Sequence, residues 1–107
     1  MNFNENQLKA QETAVYPENA KIIYPALGLA GEAGELANQV KKIIWDDGGN
    51  LTPERAEKIV DELGDVLWYC AALASDIGIY LDEVALKNLL KLATRRAESK
   101  IRGDKRE

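Results

Sequence analysis

The sequence predicts an all-α domain, a bundle of four to five helices that assembles as an oligomer. Three observations predict it. Apolar residues recur at helical spacing through most of the chain, and no segment alternates as a strand does. Between Val66 and Ala74 the third helix is apolar around its whole circumference, so it needs neighbours on several sides. Four short helices supply few such neighbours, and a second copy of the chain is the simplest remedy. With 107 residues the chain reads as one domain, 1–107, with its core over about 18–103 and a frayed charged tail at 104–107.

The elements follow in order. Residues Asn2 to Thr13 suit a short first helix, which Tyr16-Pro17 breaks. A second helical region runs from about Glu18 to Trp45, and Pro25 forces a kink or a new start within it. The run Asp46-Asp47-Gly48-Gly49-Asn50 marks a turn. Thr52 caps the third helix and Pro53 occupies its first position, where no backbone donor is needed; Gly78 stops it after Ile77. Asp82 is the expected cap of the fourth helix, Leu81 and Leu86 are spaced as a hydrophobic staple, and Arg102-Gly103 marks the end.

At about 100° per residue, the second and third helices repeat one design. Each has an apolar arc, led by Leu29, Leu36, Val40 and Ile43 in one and by Ile59, Leu63, Val66 and Cys70 in the other. Beside each arc runs a polar stripe: Glu32, Glu35, Gln39 and Lys42 on the second helix, and Glu62, Asp65 and Tyr69 on the third. Residues three apart share a helix face, so each stripe presents two carboxylates side by side. A single Glu-x-x-Glu pair is most often a solvated helix face. Two pairs at matching positions, with only Lys58 at helical spacing as a basic neighbour, instead suggest a cluster that a hard divalent cation would neutralise, Mg2+ or Mn2+ in preference. The helix-interior glycines of these segments need a reason to be there. Geometry places Gly34 and Gly64 away from the carboxylates, as points of close helix approach, and Gly28 nearer to them, as room for a ligand.

Composition narrows the chemistry. The chain has no histidine, which removes the usual zinc sites, Ser-His-Asp and Cys-His catalysis, and di-iron bundles. The lone Cys70 lies in the apolar run and reads as a core residue. A net charge of −4 argues against a sequence-independent nucleic-acid binder. The longest uncharged apolar run is nine residues, too short to span a membrane, and Met1 to Ala10 lacks the pattern of a signal peptide, so a cytoplasmic protein is expected.

Three stretches carry a resemblance. Ala26 to Ala37 (ALGLAGEAGELA), Asp61 to Tyr69 (DELGDVLWY) and Asn88 to Arg95 (NLLKLATR) resemble the MazG-like nucleoside triphosphate pyrophosphohydrolases over roughly residues 20 to 103. The resemblance implies an all-α NTP pyrophosphatase fold and hydrolysis of a (deoxy)nucleoside triphosphate between its α- and β-phosphates, giving the monophosphate and pyrophosphate, for nucleotide-pool house-cleaning. It implies that Glu32, Glu35, Glu62 and Asp65 are the catalytic metal ligands for Mg2+, with the alternative that one of them orients or deprotonates the attacking water instead. Asn88, Lys91 and Arg95 match the family's Asn-x-x-Lys-x-x-x-Arg pattern and share a face of the fourth helix.

Lys42, and more weakly Lys41, are further candidates for the phosphates, and Tyr69 for stacking on the base or hydrogen-bonding the nucleotide. Tyr16, Ile23 and Tyr24 belong to the segment that lines the nucleoside pocket in the family, whereas Trp45 and Trp68 read as packing or interface residues. The family habit is a homodimer, often a dimer of dimers. A competing reading is a non-catalytic helical dimerisation or binding module with acidic faces; it accounts for the apolar run but not for acids at matching positions on two helices.

Overall fold

The computed structural model describes residues 1–98. Among them are four α-helices, α1 (Phe3–Gln11), α2 (Ile23–Trp45), α3 (Pro53–Asp76) and α4 (Leu81–Ala97), with a single 3-10 turn at Glu18–Ala20 and no strand. α2 and α3 form a long antiparallel hairpin, while α1 and α4 pack on α3. No helix among the described residues is long and apolar enough to cross a membrane.

Local chemistry sets the helix ends. Asn2 and Glu5 close a reciprocal capping box on α1, with both bonds at 2.8 Å. Thr52 Oγ1 accepts the Arg55 N–H at 3.1 Å and Pro53 opens α3, as the sequence predicts. Gly78 adopts φ 75 immediately after α3, a left-handed turn that glycine takes without strain. Gly48 and Gly49 do the same in the turn between α2 and α3, at φ 64 and 82.

Two element boundaries differ from expectation. The second helical region is broken: after the 3-10 turn the chain turns sharply at Ile22, and α2 begins at Ile23 with Pro25 inside its first turn, where a missing N–H costs nothing. α4 begins at Leu81, with Tyr80 rather than Asp82 as its N-cap, and no side chain of its own caps it. The reason is tertiary. Gln7 of α1 accepts the Leu81 N–H through Oε1 at 2.8 Å, and Asn4 accepts the Asp82 N–H at 3.4 Å, so α1 satisfies the donors that a local cap would have served. The expected end of the helix near Arg102-Gly103 lies outside the described residues.

Gln7 is buried and fully engaged, since its Nε2 also donates to Ser75 Oγ at 3.1 Å and to the Ile79 carbonyl at 2.9 Å. Around it lies a small core of Ala10, Ala71, Ala74 and Leu81, with Trp68, Cys70 and Ile79 against it. The Trp68 indole N–H donates to Thr13 Oγ1 at 2.7 Å, which makes it a packing residue between α3 and α1. Burial pushes the Cys70 thiol up, as suits an inert core cysteine.

Much apolar surface stays uncovered in the single chain, including Val40 and Leu63 of the two predicted arcs. Ile44 is 71% exposed on α2, Val60 63% on α3 and Leu89 64% on α4. The glycines repeat the pattern. A Cβ built on Gly34 or Gly64 meets nothing within 4 Å, so neither is a point of close approach within this chain. Gly28 corrects the sequence reading in the other direction, because the space beside it is filled by the Tyr69 ring and is not left for a ligand.

Candidate metal centre on the α2–α3 seam

Across the hairpin, residues pair in antiparallel register. Tyr69 lies over Gly28, Glu62 faces Glu32, and Arg55 reaches Gln39. On α3 these are Arg55, Glu62 and Tyr69, seven residues apart each, and Asp76 continues the line. Seven residues span two turns within about 20°, so a line of this period stays on one side of a helix.

Each end of the line is anchored. Arg55, only 12% exposed, donates from Nε to Asp47 Oδ2 at 2.8 Å and from Nη1 to Gln39 Oε1 at 2.7 Å, with Asp46 Oδ2 at 4.0 Å. This clamp ties the α2–α3 turn and the α2 stripe to the first turn of α3. Its hydrogen bonds to Arg55 hold the Asp47 carboxyl below the usual range. The Tyr69 ring meets Trp68 edge-on at 5.0 Å and Tyr24 at 6.1 Å, and Tyr24 stacks on Tyr16 at 4.8 Å.

Between the anchors, one oxygen from each of Glu32, Glu62 and Asp65 falls within 4.8 Å of the others. Glu32 and Glu62 are half-buried and Asp65 is exposed. The described ion pairs of the chain fall at Glu5, Glu12, Glu18, Asp46 and Asp47, away from this cluster. Burial, a hydrogen bond with Glu32, and the charges of Glu32, Asp65 and Glu35 together push the Glu62 carboxyl above its ordinary value. Hydrogen bonding with Tyr24, burial, and the Tyr24, Glu32 and Asp65 groups likewise raise the Tyr69 phenol. Three carboxylates from two helices, one of them reluctant to ionise, form a donor set that fits a hard divalent cation.

The other sequence candidates sit around this centre. Glu35 is exposed and lies outside the close group of three, although its charge still reaches Glu62. Lys42 is half-buried one turn beyond Gln39, and Lys41 is exposed. Asn88, Lys91 and Arg95 are carried by α4, which packs on α1 and α3; Asn88 and Lys91 are exposed and Arg95 is half-buried. Two contributors were missed by the sequence reading, Arg55 and Asp76. Their signal was present as the seven-residue spacing that extends the Glu62 and Tyr69 stripe in both directions.

A family profile, the MazG nucleotide pyrophosphohydrolase domain, matches residues 25–99, which contain both acid pairs and the described part of α4. The chain belongs to the MazG family. The family is one of nucleotide pyrophosphohydrolases, hydrolases of phosphoric anhydride bonds, and the all-α architecture of this chain agrees with that membership. It is 40% identical to the Gene 37 protein of Mycobacterium phage L5 over 109 aligned positions, covering 96% of each chain. No solved structure matches it.

Proposed function

We propose that this MazG domain is an Mg2+-dependent nucleoside triphosphate pyrophosphohydrolase, with Mn2+ as a possible substitute, which cleaves the anhydride between the α- and β-phosphates. Water adds across that bond, its oxygen joining one phosphorus while the bridging oxygen departs with the other, so the products are a nucleoside monophosphate and pyrophosphate. The observation that carries the reading is the convergence of Glu32, Glu62 and Asp65 within 4.8 Å from two different helices.

Those three carboxylates would hold the cation, and Glu35 stands one turn along α2 to join them or to orient water. When bound, the cation supplies charge neutralisation for the phosphates and activation of water. The rest is the work of the chain. The Arg55 clamp fixes the hairpin register, so that acids on separate helices meet. Lys42 on the same stripe, and Asn88, Lys91 and Arg95 on α4, are the groups assigned to the phosphates, the α4 set by family pattern. Tyr69, with Tyr24 and Tyr16 behind it, offers ring faces to the base.

The exposed apolar faces of α2, α3 and α4 support a homodimer or a dimer of dimers. House-cleaning of the cytoplasmic nucleotide pool is the setting proposed for the activity.

The test is to incubate the purified protein with a panel of standard and modified (deoxy)nucleoside triphosphates and Mg2+ and to identify the products. Pyrophosphate and monophosphate are expected. Orthophosphate as the product, or no turnover on any substrate, overturns the reading, and no turnover together with no stabilisation by Mg2+ favours a non-catalytic helical module.

A further inference from the structure

The later part of the segment between α1 and α2 converges on one carboxylate oxygen. Asp76 Oδ2, in the last turn of α3, accepts both the Tyr16 hydroxyl at 2.8 Å and the Ile22 backbone N–H at 2.8 Å. Ile22 is the one non-glycine residue with positive φ among those described, at φ 70 and ψ −53. The Ile23 N–H closes a 2.7 Å bond onto the Lys21 carbonyl, two residues back. This is a γ-turn of the rare, strained hand, centred on a β-branched side chain. Such a conformation persists where its surroundings over-determine it, and Asp76 is the group that does so here.

The turn sits immediately before α2 and sets the angle at which that helix begins. Tyr24, in the first turn of α2, stacks on Tyr16 and reaches Tyr69. Asp76 therefore controls both outer rings of the tyrosine line, one by a hydrogen bond to its hydroxyl and the other through the helix start. It is eleven residues beyond Asp65, about 16 Å along the axis of α3, too far to touch the phosphates or the cation.

We propose that Asp76 is a positioning residue for the nucleotide base: by clasping Tyr16 and the strained turn at Ile22, it holds the Tyr16 and Tyr24 rings as a stacking surface beyond the carboxylates. This inference rests on the pyrophosphohydrolase reading. Ring faces accept any base, so the clasp governs affinity for the nucleoside half of the substrate and leaves the chemistry at the phosphates alone.

The experiment compares Asp76→Ala, Asp76→Asn and Tyr16→Phe with the unaltered protein. It measures steady-state turnover of a deoxynucleoside triphosphate with Mg2+, inhibition by inorganic tripolyphosphate, which has no base, and the near-ultraviolet circular dichroism of the tyrosines. Asp76→Ala should raise KM about tenfold while kcat stays within about threefold, as expected when a base-stacking contact is lost from ground state and transition state alike. Inhibition by tripolyphosphate should not change. Asp76→Asn keeps one oxygen able to accept both bonds, and should retain the KM and the tyrosine signal that Asp76→Ala loses.

An equal loss of tripolyphosphate affinity, a fall in kcat at constant KM, or Asp76→Asn as impaired as Asp76→Ala would overturn the proposal. If Asp76→Ala does not fold, Tyr16→Phe decides, since it removes one bond of the clasp; a KM for nucleotide no higher than that of the unaltered protein overturns the proposal. If the unaltered protein cleaves no nucleoside triphosphate, the pyrophosphohydrolase reading fails and the base-holding role falls with it. The clasp is then judged by dichroism, and an unchanged tyrosine signal in Asp76→Ala rejects that too.

Discussion

Glu32 of α2 and Glu62 of α3 face each other across the hairpin seam, with carboxylate oxygens within 4.8 Å of each other and of Asp65 beside them. Without a cation such a group is held together against its own repulsion by the packing of the two helices. The first prediction follows. Glu62→Gln should raise the melting temperature of the metal-free protein by removing one of the crowded charges, and should abolish the stabilisation gained from added Mg2+. Turnover should fall by about a hundredfold or more, the scale expected for a group acting directly at the reaction centre. Thermal melts with Mg2+ and with a chelator, alongside a pyrophosphate assay, check all three effects.

Tyr16 should be among the last tyrosines to ionise. Burial first, then its hydrogen bond to Asp76 and the charge there, push its phenol from 10.0 up to about 12. The folded state therefore keeps the proton that the unfolded chain gives up. The stability this confers is fully present below pH 10 and is lost as the pH rises from 10 to about 12. A phenolate absorbance titration, repeated on Tyr16→Phe, should show the late component shrink by one tyrosine, the raised Tyr69 phenol remaining.

Gly28→Ala tests the seat of Tyr69. The added Cβ would come within 2.7 Å of Tyr69 Cδ1 and closer still to Cε1 and Cζ, so the ring must move. The helix-propensity gain of alanine, about 1 kcal/mol, is opposed by an overpacking cost of about 1–3 kcal/mol. The expected result is a net loss of stability in denaturant melts, with a raised KM for nucleotide.

Arg55→Ala should lower the melting temperature and weaken stabilisation by Mg2+. It strips Asp47 of its close cationic partner and frees Gln39, and with them the register that lets the acids meet. Lys21→Ala removes an ion pair to Glu18 at 3.1 Å on an exposed surface and should leave the melt nearly unchanged. Similar effects from both variants would remove the argument for Arg55 as a register clamp.

The uncovered faces of α2, α3 and α4 predict a mass of at least two chains by light scattering at micromolar concentration, and a melting temperature that rises with protein concentration. A monomeric mass under those conditions would refute the assembly.

Much of the fold could be read from residues near one another in the chain. The start of α3 at Thr52-Pro53 and its stop at Gly78 depend on caps and turn residues that act within a few positions, and the structure reproduces them. The spacing that put Glu32 on one stripe and Glu62 and Asp65 on another is equally local, since it needs only the helical period. The start of α4 was misread for the complementary reason. Its donors are satisfied by Gln7 and Asn4, more than seventy residues earlier in the chain, which no local signal reports.

The sequence by itself determined the helical class, the two acid pairs and the chemistry open to a chain without histidine, because periodicity and composition are properties of short stretches. Only the tertiary structure decided which three of the four acids converge, that Tyr69 fills the space beside Gly28, and that Arg55 and Asp76 anchor the two ends of the seam. Those facts depend on how two helices are set against each other. That setting is fixed by contacts between residues far apart in the chain, and helical period alone leaves it open.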